Sequence, residues 1–275
     1  MSDLFDKKVA AHAMKQNVVK EDFGWEIPVE SVPLPTRGLL YSPDSTLYNR
    51  ETVPIKAMTA HEEDILSSQA LIKEGTVITN LIRSCVTDKS FGVNDLTLGD
   101  RNALMMAIRI TGYGHEYKFS LECEACGVRN NAISNLTDLG INRLNIEPVT
   151  QGKNEFVYTL PVSKKKVHFK FLTMKDEVDR SALAKVNQTA LDVKIEKNVT
   201  SYLKQAIVQI DGIRDKNKIN QFIEVMPAFD SRSIRNYIRS HEPGIDMSIQ
   251  HKCDKCGHHN EAQLPMTSEF FWPST

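Results

Sequence analysis

Phe119-Ser-Leu-Glu-Cys123-Glu-Ala-Cys126-Gly127 and Ile249-Gln-His-Lys-Cys253-Asp-Lys-Cys256-Gly257 follow one plan, 130 positions apart. In each, apolar and polar residues alternate, as on a strand with one buried face, and the strand runs into Cys-x-x-Cys-Gly. That turn holds two thiolates at the separation tetrahedral zinc requires, and the glycine permits the tight backbone after them. One pair leaves zinc half coordinated, and two pairs close the site. The four cysteines therefore read as ligands of one structural Zn2+ in a centre of zinc-ribbon type: Cys123, Cys126, Cys253 and Cys256. Between Cys126 and Cys253 lie 126 residues, so the ion would join parts of the fold distant in sequence.

The correspondence extends outward at the same offset. Asp100 falls on Asp230, Leu104 on Ile234, Ile108 on Ile238, Arg109 on Arg239, Gly114 on Gly244 and Asn130 on Asn260. A helix, a glycine turn, a strand and a cysteine loop recur in order, which implies an internal duplication. The fold class expected is α+β, with two similar halves of short strands and helices joined by the shared zinc.

Four divisions follow: an N-terminal arm (1–24), an extended Pro-rich strap (25–51), a first α+β half (52–145) and a second half (146–275). The arm is polar and has no strong cap. Pro28, Pro33, Pro35 and Pro43 keep the strap extended, with a turn at Arg37-Gly38. Such a strap needs something to lie against, its own domain or a partner. In the first half a strand spans Thr52–Ala57. Thr59 and Glu62 form a capping box for a helix closed by Gly75, a second helix spans Val77–Val86, and a third begins near Asp100 and ends at Thr111-Gly112. In the second half, Phe156–Leu160 and Val167–Leu172 form a hairpin around Lys164–Lys166. Thr173 and Asp176 start a helix, with helical stretches at Val199–Ile210 and Ile219–Val225. Asp230 caps the last one. The aromatic tail Phe270-Phe-Trp-Pro273 either docks on its own core or binds a partner.

Two other readings of the cysteines are weaker. A thioredoxin-like pair would sit at a helix N-terminus, whereas turn-like residues follow Gly127 and Gly257. A catalytic zinc keeps a coordination position for water, and four thiolates leave none. His251, His258 and His259 have no equivalent cluster in the first half, where His115 lies well before its motif. Cys85, at an apolar helix position, reads as a core residue.

Charge excludes further classes. Lys and Arg total 34 against 35 Asp and Glu, a net charge of −1, which provides no overall pull toward polyanions. Around the cysteines, Lys118, Arg129, Lys252 and Lys255 are offset by Glu122, Glu124, Asp246, Asp254 and Glu261. Nucleic-acid binding by a zinc-ribbon module is therefore the alternative and not the first reading. No run of apolar residues is long enough to span a bilayer. Met1–Asp6 carries no secretory pattern, so folding in a cytoplasm that keeps thiols reduced is expected, and the Asn-x-Thr triplets at Asn135, Asn187 and Asn198 are chance matches. Phosphate loops, nucleophile elbows, dinucleotide fingerprints and His-Glu-x-x-His are all missing, so no catalytic residue is proposed.

Four stretches together resemble the baseplate hub and hub-assembly proteins of T-even-type, contractile-tailed bacteriophages. They are Leu34-Pro-Thr-Arg-Gly-Leu-Leu-Tyr41, Met58-Thr-Ala-His-Glu-Glu-Asp-Ile-Leu66, Gly99-Asp-Arg-Asn-Ala-Leu104 and Arg109-Ile-Thr-Gly-Tyr-Gly-His-Glu-Tyr117. The resemblance covers residues 32–130 in order, and the second half through its cysteine motif. It implies a non-enzymatic protein that binds hub or tape-measure proteins as the tail is built in the host cytoplasm. Such a protein either stays in the virion or leaves as an assembly chaperone. Members of the family differ in keeping the cysteines, so the zinc rests on this sequence alone.

Overall fold

The computed structural model describes residues 17–20, 26–179, 198–265 and 268–271. The Pro-rich strap begins as a strand. Asn17–Lys20 (β1), Glu26–Pro33 (β2) and Thr52–Lys56 (β3) form an antiparallel sheet in that order, with Val32, Val53 and Ile55 facing the core. Beyond β2 the chain folds into tight turns. Arg37 and Gly38 both take positive φ (54° and 73°), and a side chain at Gly38 would come within 2.2 Å of the Arg50 amide nitrogen. Glycine is therefore required there. Leu34, Leu40, Tyr41 and Leu47 are buried, so the strap lies on its own chain and is not a free docking arm.

Helices Ala60–Ser67 (α1), Gln69–Glu74 (α2), Val77–Cys85 (α3) and Leu98–Tyr113 (α4) follow. The single helix expected before Gly75 breaks at Ser68, whose extended backbone ends α1 and whose hydroxyl accepts from Leu71 N in α2. The helix expected to begin near Asp100 starts at Leu98, with Thr97 as its cap. Its end comes at Gly114 (φ 80°), with Gly112 still inside the helix against Met58. Cys85 is fully buried, and desolvation pushes its thiol up to about 12, consistent with a core residue.

Two hairpins carry the cysteines. Glu116–Glu122 (β4) pairs with Arg129–Asn135 (β5). Between the hairpins, Ile141–Asn142 (β6) pairs with Gly244–Ile245 (β10). Phe156–Thr159 (β7), Lys166–Phe169 (β8) and Ile207–Ile210 (β9) form a second three-stranded antiparallel sheet. The helix expected over Val199–Ile210 is therefore split: Asn198–Ala206 (α5) is helical, and Ile207-Val-Gln-Ile210 joins β8 instead. β-Branched residues favour the strand once an open sheet edge is available. Lys216–Glu224 (α6) and Ala228–His241 (α7) precede Ser248–Lys252 (β11), paired with His259–Gln263 (β12), and Ser268–Phe271 (α8).

The described residues bury apolar side chains in two clusters. One gathers Leu34, Ile55, Leu81, Leu104, Ile108 and Tyr117, and the other Phe156, Val167, Phe169, Ile207, Ile234 and Ile238. The chain crosses between them. Leu40 of the strap enters the second cluster, while Leu264, Phe270 and Phe271 enter the first. The aromatic residues Phe270 and Phe271, grouped by sequence with the second half, thus pack on the core of the first. They are not free to receive a partner, and Trp272 and Pro273 lie outside the described residues. At the crossing, Gly99 lets Pro243 and Gly244 approach the first turn of α4.

Several connections recur. Glu62 Oε2 accepts from Thr59 N at 2.8 Å and Asp176 Oδ2 from Thr173 N at 3.0 Å. Bridge Ile55 to Val86 has its counterpart in Val167 to Ile210. Both Asp100 and Asp230 are buried in the first turn of their helix, and Asp230 is not the cap expected from sequence, a position that Pro227 takes. Each reaches instead to the loop after a strand: Asp100 to Thr36 and Tyr41, Asp230 to Val162 N and Ser163 N (2.7 and 2.9 Å).

Candidate metal centre

Each cysteine loop closes in the same way. Cys123 N donates to Val128 O (2.9 Å) and Gly127 N to Cys123 O (2.9 Å); Cys253 N donates to His258 O (2.8 Å) and Gly257 N to Cys253 O (2.9 Å). Gly127 and Gly257 sit at φ 67° and 72°, the left-handed region where a side chain is strained. In both loops the first cysteine is buried and the second exposed.

The two loops meet. All four Sγ atoms lie within 4.8 Å of one another. Two of these contacts cross between loops, Cys123 to Cys256 at 3.6 Å and Cys126 to Cys253 at 3.8 Å. A tetrahedron with metal–sulfur bonds of about 2.3 Å has sulfur–sulfur edges of about 3.8 Å, so the spacing suits a four-thiolate ion. It is far longer than a disulfide bond, at about 2.0 Å. These residues are close enough to hold a metal ion.

Backbone amides favour the thiolate form of the inner sulfurs. Cys253 is held at about 6, foremost by the Cys256 N–H and also by that of Lys255. Burial pushes Cys123 up, but the N–H groups of Cys126 and Ala125 outweigh it, and its pKa lies below the usual thiol value. For Cys256 the His258 N–H acts downward, yet burial and the three neighbouring sulfurs prevail and push it up to about 12. Four thiols so close would not all ionise alone; a bound cation supplies the missing charge. None of His115, His251, His258 and His259 belongs to the sulfur cluster among the described residues.

Sequence reading matched Asn130 with Asn260 but gave neither a role. Both are buried, at 4% and 3% exposure, and each bonds across the junction. Asn260 Oδ1 accepts from Glu124 N at 3.0 Å, and Asn130 Oδ1 accepts from Asp254 N at 3.1 Å. An asparagine recurring at the same place after each Cys-x-x-Cys-Gly was the available signal.

The four family-like stretches prove to be parts of buried polar networks. Asp100 accepts from Thr36 N (3.0 Å), Thr36 Oγ1 and Tyr41 Oη (both 2.5 Å), tying the first stretch to the third. Glu62 accepts from Thr59, from Ser84 (2.6 Å) and from Lys56 (3.1 Å). Arg109 of the fourth stretch donates to the carbonyls of Phe270 (2.5 Å), Gly114 (2.7 Å) and Glu116 (3.0 Å), and so holds α8 against α4. These residues connect segments of the fold and do not converge on a reaction centre.

A family model described as T4 bacteriophage base plate protein matches residues 42–272. The chain belongs to this family. No curated protein and no solved structure matches it. As a T4-type baseplate protein it has a structural or assembly role in the phage baseplate, and the family points away from catalysis. Among the described residues, no helix is long and apolar enough to cross a membrane.

Proposed function

We propose that this baseplate-family protein acts without catalysis in building the tail, binding hub or tape-measure proteins, with one zinc ion in the four-cysteine centre. The observation that carries the reading is the family match over residues 42–272, joined to the sulfur cluster. On this view the chain is a duplicated α+β unit whose halves are related by a pseudo-twofold at the metal. The recurrence of hydrogen bonds at an offset of 130, from Cys123/Cys253 to Asn130/Asn260, supports it. Zinc is favoured because it suits a tetrahedral thiolate set without redox change. Its role is to fix how the two halves sit, and so the surface that partners meet.

Purification of the chain from phage-infected cells, followed by mass spectrometry and metal analysis, tests both parts. Recovery with hub or tape-measure proteins and about one zinc per chain is expected. Protein recovered alone refutes the assembly role, and metal-free protein after anaerobic handling refutes the zinc.

A further inference from the structure

We infer that Asn130 and Asn260 are reciprocal positioning residues: each clamps the opposite cysteine loop and holds the four sulfurs at ion-binding spacing. This rests on reading the cysteines as a metal site.

The argument starts from what each loop leaves unsatisfied. In the first loop, the N–H groups of Ala125 and Cys126 point to Cys123 sulfur. In the second, those of Lys255 and Cys256 point to Cys253 sulfur. The N–H after the first cysteine has no such use within its own loop. Glu124 N is taken by Asn260 Oδ1 and Asp254 N by Asn130 Oδ1, from the other hairpin each time. The amino groups of the same side chains turn back to their own loops. Asn130 Nδ2 donates to Val128 O at 2.9 Å, and Asn260 Nδ2 to His258 O at 3.4 Å. Those carbonyls are the ones that accept from Cys123 N and Cys253 N. Each asparagine therefore links the base of its own loop to the shoulder of the other.

The residue type is dictated by that task. An acceptor and a donor are both needed on one short side chain, and asparagine supplies them without charge. Aspartate would lose the donor and place a carboxylate beside thiolates. The amide orientation is fixed by its surroundings, because the oxygen faces an N–H and the nitrogen a carbonyl. Both clamps cross the junction in opposite senses, so neither loop can slide without breaking one of them. The crossing sulfur contacts of 3.6 and 3.8 Å follow from that constraint. Such spacing suits tetrahedral coordination; a square-planar site with equal bonds would need edges of about 3.3 Å.

The test uses the full chain carrying Asn130→Ala or Asn260→Ala, with the exposed Asn131→Ala as control. Zinc affinity is read by competition with a chromogenic chelator, and site geometry by the absorption bands of the Co2+-substituted protein. Loss of either clamp is expected to weaken zinc about 10–100-fold and to shift the Co2+ bands, as for other partners that orient metal ligands, with the control unchanged. A merely structural role would lower thermal stability and leave affinity and spectrum as in the unaltered chain; that outcome overturns the inference. If a variant fails to fold, amide hydrogen exchange in the unaltered chain decides. Glu124 and Asp254 amides should stay protected after the ion is stripped, and free exchange there refutes the clamp. An unaltered chain that binds neither Zn2+ nor Co2+ refutes the metal reading itself, and the inference with it.

Discussion

Gly99 and Gly112 lie on the same helix, α4, and replacing each by alanine should move stability in opposite directions. Alanine is intrinsically favoured over glycine by about 1 kcal/mol in a helix interior, which is the upper limit of the gain for both glycines, set in the first and last turns of α4. Space decides the rest. At Gly99 the new Cβ would lie 1.7 Å from Pro243 O, 2.8 Å from Pro243 C and 3.1 Å from Gly244 Cα, all backbone atoms. Relief requires β10 to withdraw by about 1.5 Å, a distance at which its pairing with β6 is lost; overpacking alone costs about 1–3 kcal/mol. The two paired positions are Gly244 with Asn142 and Ile245 with Ile141. Losing that ladder adds about 1 kcal/mol for each hydrogen bond. Offset by the helix gain, Gly99→Ala should destabilise by about 2–4 kcal/mol, the sum expected from overpacking and lost bonds. At Gly112 the nearest atom is the terminal methyl of Met58, at 2.8 Å, which can swing aside. Gly112→Ala should therefore be neutral or stabilising by up to about 1 kcal/mol. Urea unfolding followed by circular dichroism measures both. With a slope near 3 kcal/mol per molar, Gly99→Ala should lower the midpoint by about 1 M. Equal midpoints for Gly99→Ala and the unaltered chain would refute the tight seat of β10 on α4. Equal losses in both variants would show that the helix, and not the crossing, is sensitive.

Three further outcomes are expected. Burial disfavours ionised Glu62, but hydrogen bonds from Ser84, then Thr59 and Lys56, hold its pKa at about 2 against 4.5 unfolded. Its contribution, about 3 kcal/mol for a shift of this size, is complete above pH 4.5 and lost as pH falls toward 2; Glu62→Gln should flatten the acid side of the stability profile. Tyr41→Phe leaves Asp100 short of a donor and Thr97 N short of an acceptor in a buried site, and should cost about 1–3 kcal/mol by urea titration. Arg109→Lys loses the planar fork that reaches three carbonyls, so amide exchange in Ser268–Phe271 should rise while that of β8 stays constant.

The sequence by itself determined what is local or doubled. Cys-x-x-Cys-Gly after a strand brings two sulfurs together within a few residues, and its repetition 130 positions later pointed to a single shared cluster. The Thr59–Glu62 cap, the helix stop at Gly75 and the Arg37-Gly38 turn were legible for the same reason, because their donors and acceptors lie within a few residues. Four short stretches were enough to resemble the family to which the chain belongs. Tertiary structure alone decided everything that depends on a distant partner. Asp100 marked only the neighbourhood of a helix start until Thr36, 64 residues away, became its donor. Arg109 had only an aligned counterpart until Phe270 O, 161 residues on, became its acceptor. Ile207–Ile210 continued a helical pattern and became a strand because β8 left an edge open to it. The strap and the Phe270-Phe271 tail suited a partner's surface or their own core equally well in sequence. Folding settled the choice: a buried apolar side chain gains the same stabilisation against either surface, and the chain's own core stands at far higher effective concentration. The cysteines were written in the sequence, but the asparagines that align them acquired a function only when the two hairpins crossed.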